Sequence, residues 1–338
     1  MINQSIKPVK LLTPVFIGGT GRSGTTILKR VLSQHSKVVA LPDELRIIVD
    51  PNGALELISL LSERWSPYNA DIAIHRFLDL LEKCGRARTN TAIIAEKIEK
   101  NFFRFLGIAP RQYLGMGFKS YFGAKNYQQC IDVLKEELVF HVTRGNWAGS
   151  PTPQLPSKIY ESAPASIIEL EEMISRFFNN LYSYVAVDGQ THWLDDTPSN
   201  LLHSHELLSL FPEMRMIHIY RDPRDVLASY QGFSWGGDEY EIIAWRLAHI
   251  YERWIDIRDQ IPSDSYLEIA LEVISNDPRT NFLKICEFVE LEYEEGLTDI
   301  PLDKVHAGRW KQDIPAETWK RCQKYLHNYI EAYGYPSD

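Results

Sequence analysis

An α/β fold, with a mainly parallel central sheet flanked by helices, is what this sequence predicts, and three observations carry the prediction. A short apolar run, Val15-Phe16-Ile17, stops at a glycine-rich turn and gives way to an amphipathic helical pattern. Strand, glycine loop and helix is how a nucleotide-binding α/β unit opens. A later strand candidate, residues 214–220, runs into Asp222-Pro223, a helix cap followed by proline at the first helical position. Residues 54–183, between the two, read as mainly helical.

In chain order, the loop after Ile17 is Gly18-Gly19-Thr20-Gly21-Arg22-Ser23-Gly24-Thr25-Thr26. Ile27, Leu28, Val31 and Leu32 then share one helical face. Val38-Val39-Ala40-Leu41 is a second strand, ended by Pro42-Asp43-Glu44. Segments 54–64, 71–84, 91–106, 127–140 and 166–183 have helical length and period, and the proline-rich stretch 150–156 is a loop. Strand signals resume at 184–187 and 214–220, so residues 54–183 are expected to be a helical insertion on the acceptor side of a single domain, 1–338. Ile243, Leu247, Ile250, Trp254 and Ile257 step by four and three along a long helix. Residues 265–269 form a further strand. Trp319, Cys322, Leu326, Tyr329 and Tyr333 mark a last helix, with Pro315 before it and Gly334 as its stop. The sequence holds no internal repeat.

Hydrophobic residues make up 44% of the 338 and charged residues 24%, the composition of a globular protein rather than a disordered or fibrous one. A net charge of -9 argues against nucleic-acid binding, which depends on neutralising phosphates. An anionic ligand must therefore sit in a local basic pocket. The four cysteines are scattered, with no metal or disulfide spacing, and are expected to be reduced. No secretory signal and no membrane-length apolar stretch is present, so a cytoplasmic protein without a membrane partner is expected.

Three readings of the glycine loop remain open on its own residues. Gly19, Gly21 and Gly24 satisfy G-x-G-x-x-G, and Asp43 and Glu44 follow Gly24 by 19 and 20 residues, as in a dinucleotide site. The same residues imitate a P-loop in which Thr25 replaces the lysine. A purely structural turn is the third reading. Backbone N–H groups at a helix start, with Arg22 and two hydroxyls, favour a phosphate. The second motif supports this: Arg221 closes a strand, and Ser229 stands eight residues on, where a guanidinium and a hydroxyl suit a second phosphate. The competing reading has Arg221, Asp222, Arg224 and Asp225 pairing among themselves.

GTGRSGTT after one strand and RDPRDVLAS after another resemble the two motifs of the sulfotransferases that use 3′-phosphoadenosine 5′-phosphosulfate (PAPS). WLDDTPSN, PEMRMIHIYRDPRDV, GRW and the terminal YGYP extend the resemblance over residues 12–50 and 190–335. It implies a P-loop-like fold, no metal, and PAPS as co-substrate with 3′-phosphoadenosine 5′-phosphate (PAP) as product. Arg22, Ser23, Gly24, Thr25 and Thr26 would then hold the 5′-phosphosulfate, and Arg221 and Ser229 the 3′-phosphate. Gly308-Arg309-Trp310 would close over the nucleotide, and Tyr266 would contact adenine. Glu44, in the context Glu44-Leu45-Arg46, matches the glutamate base of the tyrosylprotein-type members. Many members carry a lysine before the Thr-Pro that matches Thr197-Pro198; here Asp195 and Asp196 stand there instead.

Sulfuryl transfer needs positioning and stabilisation of leaving-group charge, for which Arg22 is the natural residue, and a base for the acceptor's proton. Glu44 is the expected base, with His192, Asp195 and Asp196 as alternatives; apart from this role, Glu44 would be a first-turn helix acid after Pro42. The acceptor is expected to be a small molecule with a hydroxyl or amine. Asp195 and Asp196 suggest a cationic one, such as a saxitoxin-type guanidinium alkaloid. The other classes are a sulfotransferase-like nucleotide binder without turnover and a P-loop nucleotide kinase.

Overall fold

The computed structural model of the chain describes residues 11–86, 116–147, 158–231, 237, 239–299 and 307–336. The chain divides into two compact units, Met1–Leu12 with Leu41–Asp188, and Thr13–Ala40 with Gly189–Asp338. The strands in chain order are β1 (Thr13–Gly18), β2 (Val38–Ala40), β3 (His141–Arg144), β4 (Lys158–Glu161), β5 (His192–Asp195), β6 (Arg215–Tyr220) and β7 (Tyr266–Ala270).

The unit built on Thr13–Ala40 and Gly189–Asp338 holds a five-stranded sheet of order β2-β5-β1-β6-β7. Every neighbouring pair is parallel. Parallel strands covered on both faces read as continuous apolar runs, and β1 does so because its side chains alternate between two cores. Val15 and Ile17 join Leu28, Val31 and Leu32 of the helix Thr25–Leu32, and Phe282 and Ile285 of the helix Pro278–Phe288. Phe16 turns the other way, onto Trp193 at 5.2 Å and Phe211 at 5.8 Å. None of these β1 side chains exceeds 2% exposure. Burial on that scale stabilises by about 1.5–3 kcal/mol per side chain.

Leu201, Trp254 and Ile257 pack together as a second layer, from the 3₁₀ turn Pro198–His203 and the helix Tyr240–Arg258. That long helix carries Leu247 and Tyr251 against Leu326 and Tyr329 of the helix Ala316–Ala332, with the two tyrosine rings 5.1 Å apart. The last helix stops as its sequence implies. Tyr335 N–H donates to the Ile330 carbonyl and Gly334 N–H to that of Glu331, both at 2.9 Å, satisfying carbonyls left over at the helix end.

The other unit is helical, with the helices Ala54–Ser62, Pro67–Gly85, Phe118–Tyr121, Ala124–Leu138 and Ile167–Val185 among its described residues. Ser66 caps the second of these, and a reciprocal Ser166–Glu169 box starts the last. The expected helices at 54–64, 71–84, 127–140 and 166–183 are therefore present; the one at 91–106 and the loop 150–156 lie outside the described residues. Two expectations need correction. Residues 184–187 are not a strand, because the helix runs on to Val185, burying Leu181 and Tyr182 and leaving Val187 outside. The strand falls instead at His192–Asp195. β3 and β4 form an antiparallel pair inside the stretch expected to be helical. β3 is largely exposed and β4 only partly buried, with no fully buried residue in either, so no period-2 apolar pattern announced them.

Among the described residues, no helix is long and apolar enough to cross a membrane.

Candidate active site

The site is set by register. β1 and β6 are neighbours with Gly18 opposite His218, so the loop leaving β1 lies beside the chain leaving β6 at Tyr220 and Arg221. Contact there is close: a Cβ on Gly19 would stand 2.7 Å from the Ile219 carbonyl oxygen and 2.4 Å from Ser23 Oγ. Crevices at this carboxyl edge, where a parallel sheet reverses its strand order, are where such folds bind ligands. The Tyr230 hydroxyl donates to the Thr20 carbonyl and secures the loop from behind, while burial pushes its pKa up to about 12.

Behind the loop, the helix Thr25–Leu32 begins at Gly24, with no side-chain cap and no acid in its first turn. The positive end of its dipole therefore meets the loop unopposed. Ser23 Oγ is buried and has no hydrogen-bond partner among the described residues.

The second motif folds as its residues direct. Asp222 caps the helix Pro223–Tyr230 by accepting from Arg224 N–H at 2.9 Å, and Pro223 occupies the first turn. From across the crevice Arg22 Nε donates to Ser229 Oγ at 3.0 Å. Burial, and then the adjacent Arg221 guanidinium, holds the pKa of Arg22 below the usual arginine range. Two guanidinium groups and a hydroxyl thus converge in a protein of net charge -9. A polyanion relieves that repulsion and takes charge-assisted hydrogen bonds from both arginines. Arg22, Ser23, Ser229 and Arg221 therefore fit a phosphate-bearing nucleotide.

The competing reading of the second motif also has a share. Arg224 is 3% exposed and forks onto both oxygens of Asp222, at 2.8 Å from Nη2 and 3.0 Å from Nε. Its guanidinium lies 4.6 Å from the Trp310 ring centre. Asp225 faces Arg221 at 3.7 Å and accepts the N–H groups of Gly308 at 2.7 Å and Trp310 at 2.9 Å. Gly308, Arg309 and Trp310 are in this way joined to the second motif, with Arg309 on the outer side, paired to Asp313.

Three expected residues are not brought to this edge in the expected way. Tyr266 is the first residue of β7, level with Met216, about 13 Å of strand short of the carboxyl end, and its ring packs on Trp254 at 5.6 Å. The adenine contact expected of it is not made possible by that register. His192 is likewise the first residue of β5, paired with Thr13 and Val38. It is buried at the amino edge, where burial pushes its pKa down. Asp196 is at the correct edge but engaged: Lys29 Nζ donates to it at 2.7 Å, both side chains being about a tenth exposed or less. Burial raises the Asp196 pKa against that partner. Asp195 accepts from Thr197 Oγ1 at 3.0 Å and Asn200 Nδ2 at 2.7 Å. Glu44 belongs to the other unit, where Arg46 holds it at 2.8 Å and also reaches Asp50 at 2.8 Å. No helix starts at Pro42, since the next one begins at Ala54, so a first-turn role for Glu44 is excluded.

Lys29 and Tyr230 were missed by sequence reasoning, and Asp225 was anticipated as a charge partner within its motif but not as the acceptor of the Gly308 and Trp310 amides. The i,i+4 spacing of Arg221 and Asp225 was a signal for that pair; nothing local links Asp225 to Gly308.

Sequence comparison now decides the family. The profile described as "Sulfotransferase family" matches residues 14–105 and 127–295, more than half of the chain. The chain belongs to the sulfotransferase family. Among solved structures it is similar to the sulfotransferase domain from the Synechococcus PCC 7002 olefin synthase, at 17% identity and a TM-score of 0.51. That match covers 98% of each chain. It is also similar to the sulfotransferase domain from the curacin biosynthetic pathway, at 15% identity and a TM-score of 0.51, over 97% of this chain and 100% of that one. At these identities the likeness is one of fold. No curated protein matches the chain. Both motifs described above lie within the matched residues of this sulfotransferase. Among the described residues, no group of three or more His, Cys, Asp or Glu side chains is arranged to hold a metal.

Proposed function

We propose that this sulfotransferase moves a sulfuryl group from PAPS to a hydroxyl or amine of a small molecule, and that residues 1–338 are a single sulfotransferase domain with 54–183 as its acceptor-side insertion. The observation carrying the donor assignment is the convergence of Arg22, Arg221 and Ser229 beside an uncapped helix start. PAPS supplies the sulfuryl group. In this reading Arg221 and Ser229 bind the 3′-phosphate, and the Gly308 turn lies against them. Ser23, Gly24, Thr25 and Thr26 cradle the 5′-phosphosulfate with backbone and hydroxyl donors. Arg22 takes up the negative charge that grows on the 5′-phosphate as the S–O bond to it breaks.

The acceptor oxygen or nitrogen forms the new bond to sulfur, and its proton passes to Glu44. Support for Glu44 comes from its family context and from its partly exposed carboxylate. Of the alternatives, His192 is buried at the amino edge, Asp195 accepts from Thr197 and Asn200, and Asp196 is paired with Lys29. The expectation of a cationic acceptor, such as a saxitoxin-type alkaloid, rested on the acidic excess of the chain together with Asp195 and Asp196. Internal partners engage both carboxylates, which leaves the net charge of -9 as its support, and neutral and cationic acceptors both enter the test.

The test is mass spectrometry of products from an acceptor panel incubated with PAPS. A mass gain of one sulfuryl group on a small acceptor, with PAP released, is the expected result. PAP binding with no product from any acceptor would indicate a nucleotide binder without turnover. Magnesium-dependent ATP consumption would indicate a nucleotide kinase.

A further inference from the structure

We infer that Asp225 is a positioning residue for the 3′-phosphate end of the nucleotide, holding Arg221 and the Gly308-Arg309-Trp310 turn in one assembly. This rests on the PAPS reading above and adds to it a residue that touches no ligand atom.

The Asp225 side chain is fully buried, and an isolated carboxylate in that position is costly. It is not isolated. One oxygen accepts from Trp310 N–H at 2.9 Å. The other accepts from Gly308 N–H at 2.7 Å and lies 3.7 Å from Arg221 Nη2. The separation from Arg221 is that of an ion pair beyond hydrogen-bond reach, so Asp225 orients the guanidinium by charge. The two amides come from residues 83 and 85 positions further along the chain. One carboxylate therefore faces both a phosphate-binding arginine and a turn from near the C-terminus.

Two further observations show that the turn is built for this contact. Gly308 has φ 76, and a Cβ placed on it would meet nothing within 4 Å. Its backbone conformation, rather than lack of space, calls for glycine, and that conformation aims the N–H at Asp225. Trp310, two residues on, is gripped through its ring by Arg224 at 4.6 Å and Trp319 at 5.3 Å, while Asp222 clamps Arg224. Consecutive residues of one helix thus hold the turn, Arg224 by the indole and Asp225 by the main chain. Displacing the turn removes the two donors that neutralise Asp225 and leaves the carboxylate to draw on Arg221 alone, at the expense of the phosphate. Docking of the turn and affinity for the 3′-phosphate are in this way coupled.

Calorimetry with PAP and with adenosine 5′-monophosphate, which lacks the 3′-phosphate, separates this role from a merely structural one. The wild type is expected to prefer PAP. Asp225→Asn keeps the shape but loses the charge and one acceptor, and its preference for PAP should fall about tenfold or more, with monophosphate affinity within about twofold. Hydrogen exchange at the Gly308 and Trp310 amides should quicken in the same variant. Gly308→Ala, which strains the turn without touching the buried carboxylate, should lower the preference in the same direction and keeps the test alive if Asp225→Asn does not fold. Equal losses for both ligands, or none, in variants of a wild type that does prefer PAP would overturn the inference alone. A wild type that binds the two ligands equally overturns the reading of the site and this inference with it.

Discussion

At Arg22 the backbone stands at φ 58 while the guanidinium donates to Ser229 and is pressed by the charge of Arg221. A non-glycine residue in the left-handed region carries a local cost of about 1–3 kcal/mol, tolerated where surrounding structure determines the conformation. Here Tyr230 at Thr20, and Gly19 against Ile219, provide that surround. Arg46 repeats the pattern in the other unit, with φ 58 and a side chain that spans Glu44 and Asp50. The proposed role of Glu44 is tested at this scale. Glu44→Gln keeps size and polarity but cannot take the acceptor's proton, so single-turnover rates should fall about 10²–10⁴-fold while PAP affinity barely changes. Near-normal turnover would remove Glu44 as the base.

Between β6, β7 and the helix Tyr240–Arg258, the joint is polar. Glu268 on β7 accepts from His218 Nδ1 at 2.9 Å, Trp254 Nε1 at 2.8 Å and Arg258 Nη1 at 3.1 Å. Burial pushes its pKa up, but His218, Trp254 and Arg258 outweigh that and hold it down at about 2, against an ordinary 4.5. Ionised Glu268 therefore contributes stability that is fully present above about pH 4.5 and is lost as pH falls towards about 2. Glu268→Gln should lower the denaturation midpoint at pH 7 by the equivalent of about 1–3 kcal/mol, and the gap to the wild type should narrow between those two pH values. A gap that stays constant with pH would mean that packing, not charge, joins these elements. Glu272 links a second pair of elements in the same manner, accepting Asp222 N–H at 3.1 Å and the Tyr335 hydroxyl at 2.9 Å. The end of the chain is thereby tied to the residue after Arg221.

Taken whole, the molecule is acidic, so its affinity for a polyanion has to come from local geometry against the general field. Ligand linkage measures that affinity. PAP at about 100 times its dissociation constant should add about 2.7 kcal/mol to the unfolding free energy, visible as a rise in melting temperature. NAD should give none. Stabilisation by NAD alone would restore the dinucleotide reading of the glycine loop and would argue against Arg221 as a 3′-phosphate ligand.

Local grammar was enough to place β1, the glycine loop, the Asp222-Pro223 helix start and both long C-terminal helices, because caps, prolines and helical periods act over a few residues. It also delivered Arg22, Arg221 and Ser229, whose spacing within each motif is local. His192–Asp195 escaped notice: four residues buried on both faces carry no period, and the apolar end of the helix Ile167–Val185 imitated a strand nearby. Contacts between distant segments were out of reach for the same reason. No pattern in the chain could tell that Lys29 neutralises Asp196 across 167 positions, that β7 enters the sheet with Tyr266 at its amino edge, or that Asp225 accepts two amides from beyond residue 307. Those facts follow from sheet order and register, and from the need of buried charges for partners wherever folding brings them.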